Sequence, residues 1–124
     1  MIVIGAGSAG LIAALIAATA RARVTLVERA AMGGDCLNTG CVPSKALIAS
    51  AKAAHHLQTA DSFGLRDVTG RVDFAAVMER VQHVIATIEP KDSVERYEGL
   101  GVDCAAGDAR LVDGHTVEID GRRL

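Results

Sequence analysis

Apolar and polar positions follow two rhythms along this chain, and glycine marks most of the switches between them. Residues 1–4 are apolar and mostly β-branched, and they run into Gly5-Ala6-Gly7-Ser8-Ala9-Gly10. Residues 11–20 then form an Ala-rich, helix-compatible run, and residues 23–27 (RVTLV) read as a second strand that ends in Glu28. Residues 44–57 predict another Ala-rich helix, with Pro43 in its first turn, where a missing N–H is not felt. Gly64 and Gly70 break residues 61–71 into a loop. Asp73 is placed to N-cap a helix over 74–89 whose stripe is Val77, Val81, Val84, Ile85 and Ile88. Pro90 begins a further turn or helix to 98, stopped by Gly99 and Gly101, and residues 102–106 suit a third parallel strand. Residues 109–112 and 116–119, joined around Asp113-Gly114, read as a β-hairpin, with another strand starting at Arg122. The pattern predicts an α/β fold: a Rossmann-like parallel sheet with helices, followed by a hairpin or meander.

The glycines give that pattern a chemistry. Gly5 allows a tight turn, Gly7 lets backbone approach a pyrophosphate, and Gly10 allows close packing of helix on strand. The helix start then offers N–H groups to phosphates. Glu28 can accept hydrogen bonds from both adenosine ribose hydroxyls and would repel a 2′-phosphate. The glycine motif alone recurs by chance, but strand, helix, strand and terminal acid together point to an adenine dinucleotide. At this point NAD and FAD are both open.

Residues 1–20 admit two other uses. The stretch has only Ser8 and Thr19 as polar residues and is long enough to span a bilayer, and Ala18-Thr19-Ala20 mimics a signal-peptidase site. No Lys or Arg precedes Leu11, however, so the charged start of a signal peptide is missing, and a strand and helix buried in an α/β core explain the apolar character better. Membrane insertion and export are therefore not expected. At 124 residues the chain makes one domain at most. A formal charge of −2 with no basic run argues against a nucleic-acid partner.

Cys36 and Cys41 sit in Gly33-Gly34-Asp35-Cys36-Leu37-Asn38-Thr39-Gly40-Cys41-Val42-Pro43-Ser44-Lys45. Gly40 lets the intervening loop fold back onto the turn that starts the next helix. Cys41 then lies at a helix N-terminus, where the macrodipole is expected to lower its pKa, whereas the carboxylate of Asp35 is expected to raise that of Cys36. Such a pair can serve as a redox couple, a structural bridge or part of a metal site. A bridge closing so short a loop removes little chain entropy. Ser44 stands where a plant-type iron–sulfur pattern needs its third Cys, and adjacent His55 and His56 lack zinc-finger spacing. The redox use is favoured. Cys104, in an apolar strand context, reads as a small core residue, and His55, His56, His83 and His115 as surface or packing residues.

With its Pro43-Ser44-Lys45 tail, the cysteine segment resembles the redox motif of the FAD-containing pyridine nucleotide-disulfide oxidoreductases, the family of glutathione reductase, dihydrolipoamide dehydrogenase and mercuric reductase. The run Pro43-Ser44-Lys45-Ala46-Leu47 is nearer the latter two. The resemblance implies that residues 1–124 are the N-terminal part of an FAD-binding domain, the first segment of a discontinuous domain, without the NAD(P)H-binding and dimerisation domains. It implies FAD held by Gly5, Gly7, Ser8, Ala9, Gly10, Glu28, Arg29, Gly33, Gly34, Asp35, Cys36, Cys41, Lys45, Gly107 and Ala109. Cys36 and Cys41 would be the catalytic redox-active disulfide, Cys41 nearest the flavin and Cys36 the interchange thiol, with Lys45 near flavin N5. Electrons would pass from NAD(P)H through FAD to this pair and on to a small disulfide or Hg(II), in a cytoplasmic homodimer. Asp35 departs from the family pattern, which usually has Thr there. On this reading the 124 residues alone are an inactive fragment. The alternatives are a stand-alone adenine-dinucleotide-binding or thiol-sensing module, and a fragment that self-associates through apolar surface.

Overall fold

A computed structural model describes all residues, Met1–Leu124. The chain forms a parallel sheet in the order β1-β2-β3, made of β1 (Ile2–Ile4), β2 (Val24–Glu28) and β3 (Val102–Ala106). Val3 pairs with Leu26, and Leu26 with Cys104. Side chains alternate faces along a strand, and β2 uses both. Val24 and Leu26 enter a buried cluster with Ala6, Leu11, Ala14, Tyr97 and Val102, while Val27 joins Val117 and Ile119 on the opposite side.

The first cluster is covered by α1 (Ser8–Thr19) and by the short α5 (Val94–Gly99). Tyr97 is buried and donates its hydroxyl to the Leu11 carbonyl at 3.3 Å, which ties α5 to α1. The second cluster seats an antiparallel meander, β4 (Ala109–Leu111), β5 (Val117–Ile119) and β6 (Arg122–Arg123). In the turn before β5, the Asp113 carboxylate accepts the His115 N–H at 2.8 Å, an Asx-type closure.

A helical layer carries the cysteines. It consists of α2 (Gly34–Asn38), α3 (Cys41–Gln58) and α4 (Phe74–Ile88), with 3-10 turns at Ala60–Phe63 and Glu89–Lys91. Asp73 caps α4 by accepting the Ala76 N–H at 3.2 Å, and Ser93 caps α5 by accepting the Arg96 N–H at 3.3 Å. On the α4 stripe only Val81 is buried, and Val77, Val84, Ile85 and Ile88 are half-buried. No helix is long and apolar enough to cross a membrane.

The structure departs from the sequence expectation at two boundaries. Helix α1 begins at Ser8 rather than 11, because the small residues Ser8-Ala9-Gly10 let its first turn press against the β1 turn. The segment expected as a loop between the glycine pair and Cys41 contains α2, a single helical turn started by Gly33 in the left-handed region (φ 84°).

Candidate functional site

The carboxyl ends of the three parallel strands open into one cleft of about 620 Å³, bordered by Ile4 and Gly5 after β1, Val27 to Ala31 at the end of β2, and Gly107 to Ala109 after β3. Gly7, Gly34, Asp35, Asn38 and Thr39 complete its wall. This is where open α/β sheets bind ligands. Gly5 turns the chain with φ +93° and donates its N–H to Val27 at 2.7 Å. A Cβ on Gly5 or Gly7 would meet no atom within 4 Å, so both glycines leave room for a ligand against bare backbone. At Gly10 a Cβ would fall on the Gly5 carbonyl, so helix and turn are in direct contact. Gly7 N-caps α1 with no side chain to satisfy the first-turn N–H groups. Free donors at a helix start suit a phosphate.

Glu28 ties this loop to the end of β2. Its carboxylate accepts the Ala6 N–H at 2.6 Å through one oxygen and the Ala30 N–H at 2.8 Å through the other. Burial pushes the carboxyl pKa up, but hydrogen bonds from the N–H groups of Ala6, Ala30 and Arg29, with the Arg29 charge, bring it below the usual carboxylate value. The group is therefore an anion at neutral pH, and each oxygen retains a lone pair for a further donor. Arg29 lies 3.9 Å from Asp108 in an exposed pair across the mouth of the cleft.

The cysteine corner is sewn onto the glycine loop by backbone. Gly33 donates its N–H to Ala6 at 2.9 Å, and a Cβ on Gly34 would come within 2.7 Å of the Gly7 Cα. Asn38 donates its amide to the carbonyls of Met32 at 3.1 Å and Gly34 at 2.8 Å, and Met32 packs on the main core. Leu37 is buried and anchors α2. The Asp35 carbonyl accepts from Thr39 at 3.0 Å and Gly40 at 2.6 Å, and a Cβ on Gly40 would sit 2.8 Å from that oxygen. The chain can therefore double back from α2 into α3 only with glycine at 40.

The doubling back brings Cys36 and Cys41 together as free thiols, Cys36 half-buried and Cys41 exposed. The neighbouring Cys41 thiol acts most strongly on Cys36, with Ser8 next; partial desolvation opposes them, and the Cys41 N–H and Lys45 charge assist. The net result places the Cys36 pKa below the ordinary thiol value. Cys41 is pushed up, first because its proton is held by Cys36, then by the negative charge there. The first N–H of α3 favours the anion on both sulfurs, in keeping with a helix start at Cys41, and the two thiols titrate as a pair.

The chain matches the pyridine nucleotide-disulphide oxidoreductase family over residues 1–124. It belongs to that family. Mercuric reductase of Lysinibacillus sphaericus is 31% identical over 124 residues, covering 100% of this chain and 23% of that protein. Dihydrolipoyl dehydrogenase of Chlamydia pneumoniae is 36% identical over 125 residues, covering 98% of this chain and 26% of that one. The solved structure of the HOCl-induced flavoprotein disulfide reductase RclA from Escherichia coli aligns with a TM-score of 0.73 at 27% identity, over 99% of this chain and 25% of that one. The chain spans about a quarter of the length of the curated relatives it matches.

Among the residues that the family resemblance singled out, Gly5, Gly7, Glu28, Arg29, Gly34, Asp35, Gly107 and Ala109 border the cleft. Ser8, Ala9, Gly10, Gly33, Cys36, Cys41 and Lys45 lie outside that wall. The Lys45 charge acts on both sulfurs. Asn38, Thr39 and Asp108 also border the cleft, and of these Asn38 carries a sequence signal, since an Asn inside a glycine-flanked turn bonds to nearby backbone. Cys104 is half-buried on β3 against the main core, and burial, then Glu98 and Asp103, raise its pKa. None of the four histidines borders the cleft, and no group of three or more His, Cys, Asp or Glu could hold a metal.

Proposed function

We propose that this chain is the FAD cradle and reactive dithiol of an NAD(P)H-dependent disulfide or mercuric-ion reductase. The observation that carries the reading is the Gly40 turn that doubles Cys36 back towards Cys41 at the start of α3, bonded through Gly33 and Ala6 to a dinucleotide-type glycine loop. The cleft residues fit an adenine dinucleotide. Gly5 and Gly7 offer bare backbone, α1 offers uncapped N–H groups, and Glu28 is an anion placed for ribose hydroxyls. Bound FAD would supply a two-electron carrier between nicotinamide and sulfur. Arg29, Gly34, Asp35, Gly107 and Ala109 would complete the cradle, and Lys45 would hold positive charge at the sulfurs.

The chain's own contribution is thiol–disulfide exchange. The Cys36 thiolate attacks one sulfur of a substrate disulfide, the substrate S–S bond breaks, and one substrate thiolate leaves and takes a proton. Cys41, deprotonated, then attacks Cys36 in the mixed disulfide, the intramolecular S–S bond forms, and the second substrate thiolate leaves. The pair gives up two electrons and the substrate gains them. Hg(II) would be met by the same two sulfurs as soft ligands. A homodimer in the reducing cytoplasm, recharged by NAD(P)H, completes the proposal.

The deciding experiment is titration of the chain with FAD and, separately, NAD, followed by the visible spectrum before and after dithiothreitol. Saturable FAD binding with a new long-wavelength band on reduction is the expected result. Preferential NAD binding would overturn the flavin assignment. A Cys36–Cys41 bridge that forms and opens reversibly in a chain with no flavin affinity would favour the thiol-sensing module instead.

A further inference from the structure

The wall of the cleft after β3, residues 107–109, is held in place from outside the cleft. Gly107 donates its N–H to the Glu28 carbonyl at 3.0 Å, which ties the start of this wall to the end of β2, and Ala109 enters the meander opposite Ile119. Between these two ties the backbone of Asp108 is met by Asp120. The Asp120 carboxylate accepts the Asp108 N–H at 3.3 Å, and the Asp120 N–H returns to the Asp108 carbonyl at 3.4 Å. The same carboxylate and the Ile119 side chain fill the place that a Cβ on Gly107 would take. Held in this way, Asp108 meets Arg29 across the mouth with its side chain.

Asp120 and Gly121 form the two-residue turn between β5 and β6, where Ile119 pairs with Arg122. Both have positive φ, 46° and 86°, as a type I′ turn requires, and Asp-Gly is a favoured pair for it. The turn accounts for that backbone, but it makes no demand on where the carboxylate goes. In the other turn of the meander, Asp113 spends its carboxylate locally, on the N–H of His115 two residues on. Asp120 instead reaches a segment twelve residues earlier that borders the cleft. We infer that Asp120 is a positioning residue of the dinucleotide cleft. From the meander turn it fixes the Gly107–Ala109 wall and, through Asp108, the ion pair with Arg29 over the mouth. Asp120 does not border the cleft itself, so its effect on a ligand passes through the backbone of Asp108.

This role rests on the reading of the cleft as an adenine-dinucleotide site. The test compares wild type, Asp120→Asn and Asp120→Gly by amide hydrogen exchange in NMR and by ADP titration in a calorimeter. Asn keeps an accepting oxygen and tolerates positive φ, whereas Gly keeps the turn and removes the acceptor. In Asp120→Gly the Asp108 amide should exchange about tenfold faster and ADP should bind about fivefold more weakly. The amides of Val117 and Leu124, which pair with each other's carbonyls at 3.0 and 2.8 Å, should stay protected. Asp120→Asn should restore both the Asp108 protection and the affinity. Unchanged Asp108 exchange in Asp120→Gly overturns the inference, as does faster exchange with unchanged ADP affinity. Faster exchange at Val117 and Leu124 as well would mean that the whole meander has loosened, and overturns it too. A wild-type chain that binds no ADP sinks the dinucleotide reading of the cleft, and Asp108 exchange then decides by itself whether Asp120 holds the wall.

Discussion

The parallel-sheet half and the α3–α4 half of this chain are built by different means. In the sheet half, Leu26 is 1% exposed, a second strand residue faces the other way into its own cluster, and a buried tyrosine closes helix on helix. In the helical half, α3 buries Ala46 and α4 buries Val81, while Leu47, Ile48 and Phe74 face solvent, Phe74 at 68% exposure. One half is held by apolar burial. The other is held at its cysteine end by backbone stitches and by Arg80, whose guanidinium donates to the Ala46 carbonyl at 3.0 Å. The sulfurs of Cys36 and Cys41 lie at the seam, so their placement relies on hydrogen bonds and glycine contacts more than on packing.

That contrast can be broken or sharpened by mutation. Leu26→Ala leaves a cavity between two strands and a helix that cannot collapse, and should cost about 4 kcal/mol of unfolding free energy in urea denaturation. Glu28→Gln turns one accepting oxygen into an NH2 that opposes a backbone N–H, and should cost about 2 kcal/mol at neutral pH. Its pH signature has a definite sign. The folded pKa lies below the ordinary 4.5, so the stability from Glu28 is present above that value and is lost as pH falls through the lower folded pKa. Acid titration of stability should show this limb in wild type and not in Glu28→Gln. Val81→Ala removes two buried carbons from the thin helical interface and should cost about 1.5 kcal/mol. A cost equal to that of Leu26→Ala would erase the contrast. Arg110→Ala breaks a surface pair with Glu118 at 2.5 Å and should change stability by less than about 1 kcal/mol.

The sheet half was legible in the sequence because its signals are regular. The β-branched runs, the Gly5-Gly7-Gly10 spacing, the acid at 28 and the Asp113-Gly114 turn all act locally, and each appears where the pattern places it. Helix α2 was not legible. Five residues opening with glycine carry no periodicity, and the turn forms because the Asn38 amide bonds back to Gly34 and Met32 and Leu37 finds a buried slot. Sequence shows Cys41 at the start of a helix but not that the N–H of that helix start acts on the Cys36 sulfur as well as on its own. The cleft wall was read through its glycines and Glu28, whereas Asn38, Thr39 and Asp108 arrive there only by tertiary placement.

The near-contact of Gly34 with the Cα of Gly7 leaves almost no slack between the two loops. Any change in the turn that accompanies sulfur–sulfur bond formation is felt by the loop that borders the cleft, and the reverse holds when the cleft is filled. Thermodynamic reciprocity then makes the effect two-way and equal. Whatever factor separates cofactor affinity in the dithiol and disulfide forms is the same factor by which bound cofactor shifts the dithiol–disulfide equilibrium. A measurement of either one yields the other.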